Sequence, residues 1–446
     1  MRHIVRTSAR YCLLTLGLIA AAAISASPGH ASADTDQSKA LAQLQRKLDQ
    51  SLEAIQALTE RVHELEAKQA GNVQAPSAAA QLPAVNPIVS DRARLEATEQ
   101  KLEQLEKANA SRNADDTGLP LHGFADVGVG TRNPINPGLK GFNVGNLDFY
   151  MTPRLGDRTR ALFELNTEVG SDGAVGVDLE RAQIGYQFSD AATVWMGRYH
   201  TPYGYLNTAL HHGAWINNSL RRPKFLQFED NGGVVPAHTV GLWITGSRHV
   251  GSGRVLYDVY AGNSQRIVNG ALDMQNAGSS HENLIAGGRY AYQFNGGDID
   301  GLTLGVHAFS ARIAETVSAN ATRVLSYGGF AVYDTDQWEN VAEIYLFDNE
   351  NLHGGGAHRS TAGFAQLGYR ATWGVPYARY ERAALSQSDY YFAALEGGSS
   401  YHRVALGVRF DVDLKAALKL ELANTRLTDR NRDQYGEGLV QYAIRF

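Results

Sequence analysis

The residues able to do chemistry crowd into one stretch, 200–233, which reads HTPYGYLNTALHHGAWINNSLRRPKFLQFEDNGG. It holds His200, His211 and His212, the cations Arg221, Arg222 and Lys224, and the carboxylates Glu229 and Asp230. Histidines invite a metal, but the adjacent pair at 211 and 212 lacks the spacing of zinc motifs, and no H-E-x-x-H occurs. Neither a metal nor a cofactor is expected. The chain has one cysteine, Cys12, so it cannot close a disulfide or supply a thiolate zinc site. Gly354-Gly355-Gly356 lacks the Lys-Ser/Thr of a phosphate-cradling loop, and there is no G-x-S-x-G. With no nucleophile and base to point to, the chain is not expected to be an enzyme. Carboxylates opposed to cations across a narrow passage have another use: they set a transverse field that filters solutes by size and charge.

The elements that must position this stretch read as strands. From Leu121 onward, polar and apolar residues alternate in runs of about ten separated by turn signals, the pattern of membrane-spanning β-strands. Sixteen runs are placed near 121–130, 145–153, 158–167, 176–188, 191–199, 234–246, 253–262, 283–294, 301–310, 322–334, 337–347, 359–370, 373–383, 401–411, 416–425 and 437–446. Short turns at 154–157, 189–190, 295–300 and 411–415 alternate with long loops at 262–282, 347–359 and 384–400. The short ones belong to the periplasmic side and the long ones to the exterior, with 200–233 as the third external loop. Gly204, Gly232 and Gly233 give it flexible ends, and an inward fold would narrow an otherwise open barrel. A soluble sandwich would need polar outer faces, whereas the outward face is expected to carry Trp195, Tyr199, Tyr290, Tyr292, Tyr345, Tyr369, Tyr380 and Phe410.

By alternation, the lumen receives the cations Arg158, Arg160, Arg181, Arg198, Arg289, Arg370, Arg379, Arg403, Arg409, Lys419 and Arg445. Facing them are Asp148, Glu164, Asp258, Glu339, Glu343, Glu381, Glu421 and Glu437. A small cationic surplus favours anions. Arg198, Arg221, Arg222, Lys224, Glu229 and Asp230 are expected at the constriction. Arg160, Arg181, Arg289, Arg379, Arg403 and Arg409 are expected along the pore.

Ahead of the strands, residues 1–33 have the basic start, apolar stretch and A-x-A site of a signal peptide. Removing its three arginines takes the charge from −5 to −8, which argues against nucleic acid as a partner. Residues 34–70 carry Leu41, Leu48, Ile55 and Val62 at one heptad position and Leu44, Ser51, Leu58 and Leu65 at another, a periplasmic coiled coil that points to self-association. A Pro/Ala-rich linker at 71–90 and a second short helical segment at 91–118 lead to the barrel at 119–446. The expected fold is thus all-β: an antiparallel sixteen-stranded transmembrane β-barrel preceded by an N-terminal α-helical coiled coil.

Three features together, the strand count, the GRYHTPYG segment at 197–204 and the final Phe446 with apolar residues at every second position before it, resemble outer-membrane porins. The chain looks most like the phosphate-selective porin O and P type, over residues 121–446. The resemblance implies an outer-membrane barrel in lipid, an inward third loop, and passive diffusion of small hydrophilic solutes or anions; the coiled coil is expected to support a homotrimer. That subgroup's phosphate preference comes from ordered lysines and arginines, which do not align one by one with this chain. Two other readings stay open: a structural or adhesive protein tethering a periplasmic partner through its coiled coil, and an outer-membrane hydrolase.

Overall fold

The structure is a computed structural model that describes residues 121–131, 141–153, 155–169, 174–210, 214–273, 283–429 and 433–446. The expected signal peptide, coiled coil, linker and second helical segment, His211, His212 and the side chain of Asp230 lie outside the described residues.

The barrel strands are β1 (Leu121–Gly130), β2 (Gly141–Met151), β3 (Thr159–Val169), β4 (Val175–Ser189), β5 (Ala192–His200), β6 (His238–Val250) and β7 (Gly253–Asn263), followed by β10 (Leu284–Gln293) and β11 (Leu302–Ala314). They continue with β12 (Ala321–Asp334), β13 (Trp338–Leu352), β14 (Ala357–Tyr369), β15 (Val375–Ala384), β16 (Tyr401–Asp413), β17 (Ala416–Leu427) and β18 (Gln434–Arg445). Between β7 and β10 lies a small hairpin, β8 (Ile267–Val268) and β9 (Ala271–Leu272). Each of the sixteen pairs antiparallel with its neighbours, and β1 pairs with β18 to close the sheet. Closure extends past the last strand: Gly123 donates to the Phe446 carbonyl at 3.1 Å, and Phe446 donates back at 3.0 Å. A closed sheet has no free edge, so every strand ladder finds its partner within the chain.

Alternation divides the strands between two surfaces. On β17, Lys419, Glu421 and Thr425 are buried inside, while Leu420 and Leu422 are exposed outside. The outer surface repeats this with Met196, Leu242, Val306, Leu367 and Leu406, and with Tyr290, Tyr369 and Tyr380. No helix of the described residues is long and apolar enough to cross a membrane; the strands carry the apolar belt instead.

Three aromatic residues expected outside point inward. Trp195 pairs across the sheet with Trp243, whose indole N–H donates to the inward Asp258 at 2.9 Å. Tyr199 is buried and packs on the same Trp243, 5.5 Å between ring centres. Tyr345 shares the face of Glu343, two residues away, and is buried 5.3 Å from the Phe225 ring. The expected long loop at 347–359 is also shorter: β13 and β14 run on to leave only 353–356, a turn in which His353 and Gly354 to Gly356 all take positive φ.

The interior is not uniformly polar. Part of it is an apolar core built from Tyr203, Phe225 and Leu226 of the third loop, Ile267 and Leu272 of the hairpin, and Phe392 of the 385–400 loop. These pack on inward wall residues such as Phe309, Phe347 and Phe364. The remaining space lies beside this core.

Candidate functional site: a loop-bounded cavity in the barrel

Between β5 and β6 the chain runs from 201 to 237, and its side chains meet inward residues of the far wall. Gly204 starts the excursion at φ +53, a left-handed conformation, and a Cβ there would lie 2.1 Å from Glu343 Oε2, so only glycine fits. Glu343 then accepts from the backbone N–H of Tyr205 at 3.0 Å and Leu206 at 2.7 Å, capping the short helix α1 (Leu206–Ala209). Arg289 donates to the Gly204 carbonyl at 2.9 Å and to Thr208 Oγ1 at 2.7 Å while pairing with Asp258 at 2.7 Å. At the loop's tip, Trp215 lies under two guanidinium groups, Arg409 at 4.9 Å and Arg445 at 4.3 Å from its ring. Arg409 also donates to the Trp215 carbonyl, and Lys419 to that of Ala214.

The returning arm is held as firmly. Arg379 donates to the Arg221 carbonyl at 2.7 Å, and the backbone N–H of Lys224 donates to Glu381 Oε2 at 2.7 Å. Arg221 pairs with Glu437 at 2.8 Å and reaches the cavity. Lys224 also lines it, with Nζ 5.9 Å from the centre of the Tyr401 ring. Burial, and behind it the Arg403 charge, pull the Lys224 ammonium below the ordinary lysine range.

Arg198 and Glu229 correct the expectation that they face solute, because both are buried away from the cavity, whereas Arg222, though buried, lines it. Arg198 Nε donates to the Glu180 carbonyl at 3.1 Å. Arg222 sits 4.7 Å over the Phe228 ring and donates to the Leu226 carbonyl at 2.6 Å and Asn207 Oδ1 at 2.8 Å. Glu229 accepts from the N–H groups of Ala237 and His238 and from Gln265, and faces His238 Nδ1 at 3.0 Å. Burial pushes this carboxyl up, but the His238 charge and hydrogen bonds outweigh it and hold it at about 2. Asp230 lies in the short turn Glu229–Asn231.

The wall arginines are engaged too. Arg181 lies 2.5 Å from Glu164, Arg379 2.8 Å from Glu381, Arg403 2.5 Å from Glu437 and Arg409 2.8 Å from Asp411. Arg160 bonds Gln187 at 3.1 Å near the short-turn end. The expected cationic surplus is therefore largely absorbed by pairs that brace the wall and loop.

What remains open is a cavity of about 600 Å³ between the loop and the wall. Arg221, Lys224, Arg370 and Arg403 reach it, and so do Asp126, Asp334, Glu339 and Glu437. A second, smaller cavity shares Ile216, Asn218, Glu339 and Arg370 with the first, so these four mark the neck between them. At the neck, Arg370 lies 2.6 Å from Asp334 and 3.0 Å from Glu339. Alternation places Arg370 and Glu339 in the lumen, but Asp126, Trp215 and Asn218 escaped it. Asp126 alternates with Phe124 on the inward face and was legible in principle; the two loop residues follow no period.

An apolar outer belt on a closed sheet around a charged interior defines a membrane-spanning β-barrel that encloses a charge-lined cavity. No protein-family model matches the chain, and no curated protein sequence does either. Among solved structures it is similar to an anion-selective porin from Comamonas acidovorans, at 15% identity and TM-score 0.49, covering 73% of this chain and 98% of that one. It is also similar to OmpF of Salmonella typhi in complex with daunomycin, at 14% identity and TM-score 0.48, covering 74% and 97%. A third is the outer membrane channel DcaP of Acinetobacter baumannii, at 12% identity and TM-score 0.44, covering 73% and 96%.

Proposed function

We propose that the chain is an outer-membrane porin through which small hydrophilic solutes diffuse down their gradients. The observation that carries this reading is the cavity of about 600 Å³ flanked by the third loop, lined by cations and carboxylates inside an apolar-coated barrel. Because the cavity arginines are themselves paired, Arg221 with Glu437 and Arg370 with Asp334 and Glu339, the anion preference is modest and rests chiefly on Lys224 rather than on a cationic ladder. Phosphate is one candidate anion. A homotrimer, supported by the coiled coil expected at 34–70, is part of this reading. Reversal potentials of the purified protein in a potassium chloride gradient test the reading: chloride is expected to pass in preference to potassium, and the Arg221→Gln, Lys224→Gln double variant to shift the balance toward potassium. A cation-selective wild type overturns the anion preference.

The apolar core inside the barrel favours a second reading, a plugged barrel that serves as an anchor for a periplasmic partner. The same planar bilayers decide between them, since a plugged barrel passes no current.

A further inference from the structure

Away from the cavity, at the root of the third loop, three side chains from adjacent strands converge. Glu180 on β4, His200 on β5 and His238 on β6 are all buried, and one ligating atom from each lies within 4.8 Å of the other two. His238 Nε2 is 2.6 Å from Glu180 Oε2, and the two imidazole rings meet edge to face with centres 5.3 Å apart. Behind His238, its Nδ1 lies 3.0 Å from Glu229, a carboxylate fixed by the backbone of the loop's last turn. A histidine with one ring nitrogen on a buried carboxylate and the other aimed at a second histidine and a second carboxylate has the carboxylate–histidine–metal arrangement.

We propose that Glu180, His200 and His238 bind a divalent transition-metal ion, with zinc the best fit. Two imidazoles and one carboxylate suit zinc, whose bonds of about 2.0–2.2 Å place neighbouring ligand atoms roughly 3–3.5 Å apart. The three donors reach that spacing by shifts of less than about 1 Å. A protonated His238 between Glu180 and Glu229 explains the two short contacts without an ion. A metal, unlike that proton, would use all three converging donors, His200 included. Glu164, 3.6 Å from His200 Nε2, stands next to the site as a further oxygen donor. The ion ties β4, β5 and β6 together and reaches the loop through Glu229, so it fixes the loop's exit.

The test uses the full-length protein in detergent, stripped with a strong chelator and titrated with zinc, then with cobalt. One zinc per chain is expected to survive gel filtration, and cobalt to give the visible absorption of a four-coordinate ion. Glu180→Gln and His200→Gln are each expected to weaken binding at least about tenfold, and Glu229→Gln, acting through His238, about 10–100-fold. Heat-modifiable gel migration verifies that each variant is folded. A folded wild type that retains no stoichiometric zinc overturns the proposal whatever the variants do, and so does a folded His200→Gln that binds zinc as tightly as the wild type.

Discussion

Single charged residues in this barrel divide into those that hold the wall and those that meet the cavity, and residue type alone does not say which. Arg379, fully enclosed beside Glu381, belongs to the first kind. Replacing one partner of such a buried pair leaves a stranded charge, at a cost of about 3–5 kcal/mol. Lys224 belongs to the second kind, and its proton affinity gives a test. Burial and Arg403 lower it from the ordinary 10.5, so as pH rises the ammonium empties sooner than a free lysine does. Below that window Lys224 is charged and would add to the proposed anion preference; within it the charge is lost and that preference would fall. Reversal potentials recorded from neutral to alkaline pH are expected to show that decline, and Lys224→Arg to abolish it. Selectivity that stays flat until 10.5 would remove Lys224 from the passage. The positions of these cations were legible in the sequence, but their partners were not. The bond from the Lys224 backbone to Glu381 spans 157 residues, and nothing local encodes it.

The strands were legible as elements because lipid outside and charge inside force a period of two on each one. Even Tyr345 could have been placed, since it shares its face with Glu343 and not with the exposed Ile344. The third loop was legible only as an anomaly of length. Its Phe225, Leu226, Val234 and Val235 are fully buried, yet they follow no regular spacing because irregular backbone imposes none. Two substitutions separate the loop's docking from the barrel's stability. Phe225→Ala removes a ring packed against Tyr345 and is expected to cost about 3–5 kcal/mol of docking. Arg222→Ala leaves the Leu226 carbonyl and Asn207 Oδ1 without this donor, at about 1–3 kcal/mol. Since the strand ladders do not pass through the loop, both variants are expected to keep heat-modifiable migration while 201–237 becomes sensitive to protease. A loop that resists protease as well as in the wild type would show that these contacts do not anchor it.

For the whole molecule the decisive quantity is how much of the lumen remains for water. A sixteen-stranded barrel is wide enough for an aqueous channel unless something fills it. Here three loops supply an apolar core against one part of the wall, and the third loop lays its tip on Arg409 and Arg445 across from its own root. The open space lies alongside, with its neck at Ile216, Asn218, Glu339 and Arg370. Barrel closure depends on β1 against β18 and on the Gly123–Phe446 bonds, none of which involves the loop. The loop can therefore be shortened without opening the sheet. Replacing residues 206–231 with a short Gly/Ser linker takes away Ile216 and Asn218 from the neck, Arg221 and Lys224 from the field, and Phe225 from the core. Single-channel conductance is expected to rise several-fold, and selectivity to approach that of bulk diffusion, because the widened lumen is filled by water that screens the remaining paired charges. If conductance and selectivity instead match those of the intact protein, solutes travel by a route that the third loop does not border.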